Sequence, residues 1–138
     1  MTLSAESLPP NEQPVLRLVP MPADTNAAGD VFGGWIMSQV DIAGSIAAIK
    51  RARGRVVTVA VNAFHFRKPV FVADLVSFYA NVVQVGTTSL TVDVKVYAQR
   101  GWRSPGPGEI VLVTDAMLTY VAIDDQRNKR PVPPEDQD

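Results

Sequence analysis

Residues 33–52, GGWIMSQVDIAGSIAAIKRA, form the one segment whose apolar positions fit a long helix, and after Gly54 the pattern is that of strands alone. The spacing predicts a helix that starts near Gly33 or Gly34 and ends about Ala52. Cations in KRARG then occupy its last turn with Gly54 just beyond, both favourable at a helix C-terminus. RVVTVAVNAFHF (55–66) and DLVSFYANVV (74–83) are rich in β-branched and aromatic residues. TTSLTVDVKVY (87–97) alternates Leu90, Val92, Val94 and Val96 with polar residues, and EIVLVTDAMLTYVAI (109–123) supplies a last long strand after the loop RGWRSPGPG. A short strand, PVLRLVP (14–20), precedes the helix. Four strands joined by short turns imply an antiparallel sheet, since each parallel pair needs a crossover. The helix is apolar on most sides through Phe32, Trp35, Ile36, Val40, Ile42, Ile46 and Ile49. A sheet on one side alone leaves it greasy, so the expected fold is an α+β roll, with a curved sheet around the helix or a partner subunit covering the rest.

The 138-residue chain is expected to form one domain, 14–123, between proline-rich polar tails at 1–13 and 124–138 that are expected to be flexible. It contains no cysteine, which removes disulfides, thiolate metal sites and a cysteine nucleophile, and His65 is its one histidine, so no metal site is expected. A formal net charge of −1 gives no electrostatic footprint for nucleic acid. MTLSAESLPPNE lacks the cationic and apolar regions of a secretory signal, and Gln39, Asp41 and two serines argue against a membrane span in 31–49. The expected compartment is the cytosol.

Within the helix, Ser38, Asp41 and Ser45 share one narrow polar stripe flanked by apolar side chains. A carboxylate withdrawn from water must be paired, hydrogen-bonded or lining a cleft. Two readings are open for Asp41: a structural hydrogen bond to the neighbouring serines or a backbone amide, or a catalytic base. The loop NAAGDVFGG delivers Asn26, Gly33 and Gly34 to the helix N-terminus, where unpaired N–H groups and the helix dipole favour developing negative charge. A carbonyl lodged there, with a carboxylate in the same cleft, has the parts of an acyl-transfer site; the alternative is a Gly-rich turn opening a helix.

MPADTNAAGDVFGGWIMSQVDIAG, RVVTVAVNAFHFRKPVFVAD and VQVGTTSLTVDVKV together resemble the hotdog-fold acyl-CoA thioesterases, in particular the bacterial YciA-like group, related to the brain acyl-CoA hydrolases. The similarity spans about residues 15–123, and the N-x-x-G-D-x-F-G-G-W block is its most specific part. The resemblance implies a five-stranded antiparallel sheet around one long helix, subunits joined sheet edge to sheet edge, and further assembly, often to hexamers. It implies hydrolysis of short- to medium-chain acyl-CoA with broad tolerance and no cofactor, CoA being part of the substrate. Asp41 then takes the place of the catalytic carboxylate and Asn26 that of the loop asparagine, while the backbone amides of Gly33 and Gly34 polarise the carbonyl. Asn26 of one subunit is expected to face Asp41 of the other. Gly86, Thr87, Thr88 and Ser89, at the turn into the fourth strand, are the implied CoA-binding segment, with Thr58 a further candidate; the other reading of GTTS is an ordinary turn. KRARGR (50–55) and Arg67-Lys68 are candidate phosphate partners, although a helix C-terminus also favours the first. Sequence does not decide between base and nucleophile for Asp41; the base is preferred. No G-x-S-x-G elbow is present, and His65 lies mid-strand, so it is read as structural. Two alternatives are an acyl-CoA sensor without turnover and a hotdog 3-hydroxyacyl thioester dehydratase, which needs a catalytic histidine in the cleft.

Overall fold

The computed structural model describes residues 6–106 and 108–135. Strand β1 (Leu16–Leu18) leads through a short 3-10 turn, Pro22–Asp24, to helix α1 (Gly33–Ala52). Strands β2 (Val56–Phe66), β3 (Leu75–Val85), β4 (Ser89–Arg100) and β5 (Glu109–Ala122) follow. They form one sheet in the order β1-β3-β4-β5-β2, antiparallel at every pairing.

The inward face of the sheet carries Val76 and Phe78 of β3, Leu90 to Ala98 at alternate positions of β4, and Ala116, Leu118 and Tyr120 of β5, all buried. They close on Ile36, Val40, Ala43, Gly44 and Ala48 of α1, mostly small residues that let the sheet approach the helix closely. The other side of α1 stays open: Met37, Ile42 and Ile49 are exposed in the single chain. Two register shifts in β2, between Thr58 and Ala60 and between Val61 and Ala63, bend that strand. Among the described residues it pairs only with β5, so its outer edge is free, with Val59 and Val61 exposed along it.

The helix ends one residue earlier in conformation than Gly54 suggests. Arg53 takes the left-handed position (φ 55°), and its N–H donates to Ile49 O at 2.8 Å. Parts of both expected tails make defined contacts with the domain. After β5 the chain turns at Asp124–Asn128 and returns: Arg130 N donates to Ala122 O, Val132 N to Thr87 O, and Arg51 Nη1 to Pro133 O. The polar composition of 124–135 reads as a tail, but its backbone donors meet carbonyls left open at the strand ends. At the other terminus Glu12 accepts from Asn81 Nδ2 at 3.0 Å, and Glu6 accepts from Leu112 N. Residues 1–5 and 136–138 lie outside the described residues. The 100–108 loop is anchored by Trp102, whose indole N–H donates to Ala73 O at 2.8 Å.

On the outer face of the sheet, Asp115 sits in register between His65 and Lys95. It accepts from Arg67 Nε and lies 2.9 Å from His65 Nδ1. The hydrogen bond from Arg67 holds the Asp115 carboxyl below the usual aspartate range; partial burial opposes this and His65 adds to it. A carboxyl depressed in the folded state stabilises the fold above the ordinary aspartate value of about 3.9, and that contribution is lost as pH falls through its folded value. Thermal melts of wild type and Asp115→Asn are therefore expected to differ at pH 7 and to converge toward the lowest pH at which both fold; a gap that widens on acidification contradicts this. Phe78→Ala, which empties a fully buried core position, is expected to cost about 3–5 kcal/mol in urea denaturation at fixed protein concentration. An unchanged midpoint contradicts the close-packed core.

Candidate functional site

Asp41 is the ninth residue of α1 and is half-buried where the helix meets the β2 end of the sheet. Its partners come from the sheet and not from its own stripe. Thr58 Oγ1 donates to Asp41 Oδ1 at 2.7 Å, and the Tyr120 hydroxyl lies 3.1 Å from the same oxygen and 2.9 Å from the Asp41 backbone O. Ser45, expected on the stripe, instead donates to Ile42 O at 2.7 Å. Thr58 and Tyr120 are directly opposed on β2 and β5, so their side chains leave the same face and converge on one carboxylate. Burial raises the Tyr120 pKa above that of a free phenol, and the neighbouring Asp41 charge adds to the effect. Tyr120 is therefore a neutral donor at any pH where the protein works. Asp41 Oδ2 takes part in none of these bonds. The carboxylate is thus gripped through one oxygen, while the other is left to accept a proton.

Gly44, one turn beyond Asp41, belongs to the same arrangement. A Cβ there would stand 2.3 Å from the Tyr120 hydroxyl oxygen, so the absence of a side chain admits the ring. Neither Tyr120 nor Gly44 stood out in the sequence. The signals were present: Tyr120 is in phase with Ala116 and Leu118 on an inward strand face, a buried phenol needs a partner, and a glycine inside a helix costs stability unless something approaches it.

The loop before α1 is built on Asn26. Its Oδ1 accepts from Ala28 N at 2.9 Å and Asp30 N at 3.2 Å, while its backbone N donates to Asp30 O and its O accepts from Gly29 N. Gly29, at φ 89°, makes the tight return. Two backbone donors fix the side-chain oxygen inward, so the Nδ2 amide points away from them and is an available donor. The helix N-cap is Phe32, which supplies no side-chain acceptor. Among the described residues the N–H groups of Gly33 and Gly34 have no hydrogen-bond acceptor, as in an uncapped first turn. A cavity of about 380 Å³ opens beside them, lined by Val31, Gly33, Ile36, Phe66, Lys68 and Val70 among others.

The sequence-derived residues thus fall into three places. Asp41 and Thr58 are in contact, so Thr58 sits on the carboxylate. Asn26, Gly33 and Gly34 lie at the helix N-terminus, about 12 Å along the axis from Asp41 at 1.5 Å per residue. The Gly86–Ser89 turn lies at the opposite end, beside Ala52. Gly86 N donates to Ser89 O at 2.8 Å, Thr88 O accepts from Ala122 N, and Thr87 O accepts from Val132 N. Arg67 and Lys68 border the cavity, whereas Lys50 and Arg51 stand at the far end with Glu135. His65 is on the outer sheet face with Asp115, away from Asp41. Among the described residues no helix is long and apolar enough to cross a membrane.

The profile of the thioesterase superfamily matches residues 28–104. The acyl-CoA thioester hydrolase YciA of Salmonella typhimurium is 47% identical over 124 residues, covering 90% of this chain and 92% of its own. A mutant form of a hexameric broad-specificity acyl-coenzyme A thioesterase superimposes with a TM-score of 0.83 at 46% identity, over 88% of this chain and 87% of its own. An acyl-CoA hydrolase from Staphylococcus aureus, solved with butyryl coenzyme A and coenzyme A, gives a TM-score of 0.77 at 31% identity, over 88% and 74%.

Proposed function

The chain belongs to the thioesterase superfamily and has its hotdog fold, and from that premise we propose that it hydrolyses acyl-CoA thioesters to the free acid and CoA. The observation that carries the reading is Asp41, a half-buried carboxylate held through Oδ1 by Thr58 and Tyr120 with Oδ2 unengaged. In the proposed reaction Oδ2 takes a proton from water as the water oxygen bonds to the thioester carbon. The carbonyl pair moves onto oxygen, which the N–H groups of Gly33 and Gly34 and the Asn26 amide stabilise. Collapse breaks the C–S bond, and the departing CoA thiolate takes the proton from Asp41. The balance closes with no cofactor, CoA being part of the substrate.

One chain supplies two halves of such a site, not a whole. Gly33 and Asp41 are more than two helical turns apart, too far to meet at one carbonyl. We therefore assign Asn26, Gly33 and Gly34 of one subunit to the carbonyl that Asp41 of another attacks. The free β2 edge supports this: a long, partly apolar edge strand next to Thr58 is a ready template for a second copy, and pairing there brings the partner's loop toward Asp41. Edge-joined dimers would assemble to a hexamer, the state of the broad-specificity relative.

The preferred substrates are short to medium acyl chains with broad tolerance, as the butyryl-CoA complex and the broad-specificity relative suggest; each methylene is worth only about 1–3 kcal/mol of discrimination. Thr87, Thr88 and Ser89 are the proposed CoA contacts, and fatty acid metabolism in the cytosol is the proposed setting, a reading supported by acyl-CoA as the substrate class. A dehydratase is disfavoured because His65 is tied to Asp115 on the outer face of the sheet.

The test is thiol release from acyl-CoA esters, C2 to long chain, with no protein thiol to interfere. Asp41→Asn is expected to assemble normally and lose about 10²-fold or more in kcat, and Asn26→Ala to lose less. Full activity in Asp41→Asn overturns the mechanism, and tight binding of esters without turnover by wild type makes the protein an acyl-CoA sensor instead. Sedimentation with activity measured across the association range is expected to show that the monomer is inactive; an active monomer overturns the shared site.

A further inference from the structure

Tyr120 is fully buried at the centre of the fold, yet its hydroxyl serves the one carboxylate to which the hydrolytic step is assigned. It reaches two acceptors on the same residue, the Asp41 backbone O at 2.9 Å and Oδ1 at 3.1 Å. A carboxylate on a helix is otherwise free to turn about its last torsion and exchange its oxygens, since that terminal rotation is soft. Thr58 alone, at 2.7 Å, restrains one oxygen from an exposed edge strand. Tyr120 restrains it from the rigid interior, between helix and sheet. The room for it comes from Gly44, where a Cβ would lie 2.3 Å from the hydroxyl oxygen and 3.1 Å from the ring carbon that bears it. A structural tyrosine needs one acceptor and no notch in a facing helix. This one has a glycine that loses helix stability to admit it, and its one hydroxyl proton lies between the Asp41 backbone O and Oδ1, so the ring ties the carboxylate to its own backbone.

We propose that Tyr120 is a positioning residue for the hydrolysis assigned above: it fixes the Asp41 carboxylate so that Oδ2 faces the reacting water, and Gly44 is the notch that lets it do so. The inference rests on the thioesterase reading and goes beyond it, because Tyr120 touches neither substrate nor water. The immediate surroundings of Asp41 leave few other groups to position it. Among the described residues, β5 contributes Tyr120 and β2 contributes Thr58, which does not titrate. The helix positions one turn away, Met37, Ser38, Gly44 and Ser45, carry no charge.

The experiment is steady-state hydrolysis of an acyl-CoA ester at one fixed pH by wild type, Tyr120→Phe, Gly44→Ala and the double variant, with thermal melts of each. Tyr120→Phe keeps the ring and removes only the hydroxyl. It is expected to lose about 10- to 100-fold in kcat with KM within about twofold, a split that a merely structural loss would not give. Gly44→Ala, which displaces the hydroxyl, is expected to lose at least as much, and the double variant no more than Gly44→Ala, because the clashing oxygen is gone. Wild-type kcat in Tyr120→Phe overturns the inference while leaving the hydrolase reading intact; losses that multiply in the double variant also overturn it. If Tyr120→Phe does not fold, Gly44→Ala is judged by the same readouts. Absence of turnover in wild type overturns the hydrolase reading and the inference with it.

Discussion

The structure depends on one apolar helix being covered by one sheet that reaches only part of it. Ile36, Val40, Ala43, Gly44 and Ala48 meet the sheet, and their small average size sets the close approach of helix and strands. Met37, Ile42 and Ile49, on the rest of the helix, are left exposed by the described residues. Burying apolar area is worth roughly 25 cal/mol per Å², so a helix left half-open favours association. The unpaired edge of β2 is the hydrogen-bonding counterpart of that open apolar face. A single physical shortage, too little sheet for the helix, thus leaves both an edge and a surface for another copy.

Placing an aspartate in that helix is a second constraint. Asp41 lies on the boundary between covered and open sides, where a carboxylate loses part of its hydration without losing all of it. Two hydroxyls replace the lost water on one oxygen. They differ in kind: Thr58 belongs to an edge strand bent by register shifts, Tyr120 to a strand flanked on both sides. The grip therefore couples the carboxylate to the free edge and to the core at once.

How much of this was legible in the sequence follows from which signals are local. The helix bounds and the four later strands are within a few residues of the periodicity, because alternation and helical spacing report burial directly. β1 is only three residues long, since its pairing with β3 stops at Leu18 and Pro20 soon follows. The return of 124–135 was hidden: its hydrogen bonds join Val132 to Thr87 and Arg51 to Pro133, pairs far apart in sequence whose composition is that of a tail. Asp41 was conspicuous as a carboxylate among apolar residues, yet its partners were expected among neighbouring serines. Thr58 and Tyr120 are brought to it by strand register, a property of the fold. Gly44 looks like a neutral gap in a helix until the tyrosine opposite is known.

Asn26 shows why each half of the site is finished before assembly. Its oxygen is committed to two backbone donors and its loop is closed by Gly29, so the side-chain amide is oriented without help from any ligand. Phe32 caps the helix with no acceptor of its own, which leaves the first-turn donors of Gly33 and Gly34 directed outward. At Asp41 the order is reversed, with acceptor Oδ1 saturated and Oδ2 open. Donors at the helix N-terminus and an acceptor more than two turns on are complementary groups that their own chain keeps apart. Because each is already rigid, association has little left to organise and its free energy is not drained by ordering side chains. On the proposed reading, a fold that separates these donors from their acceptor on one stiff helix would tie catalysis to assembly through geometry, with no moving part required.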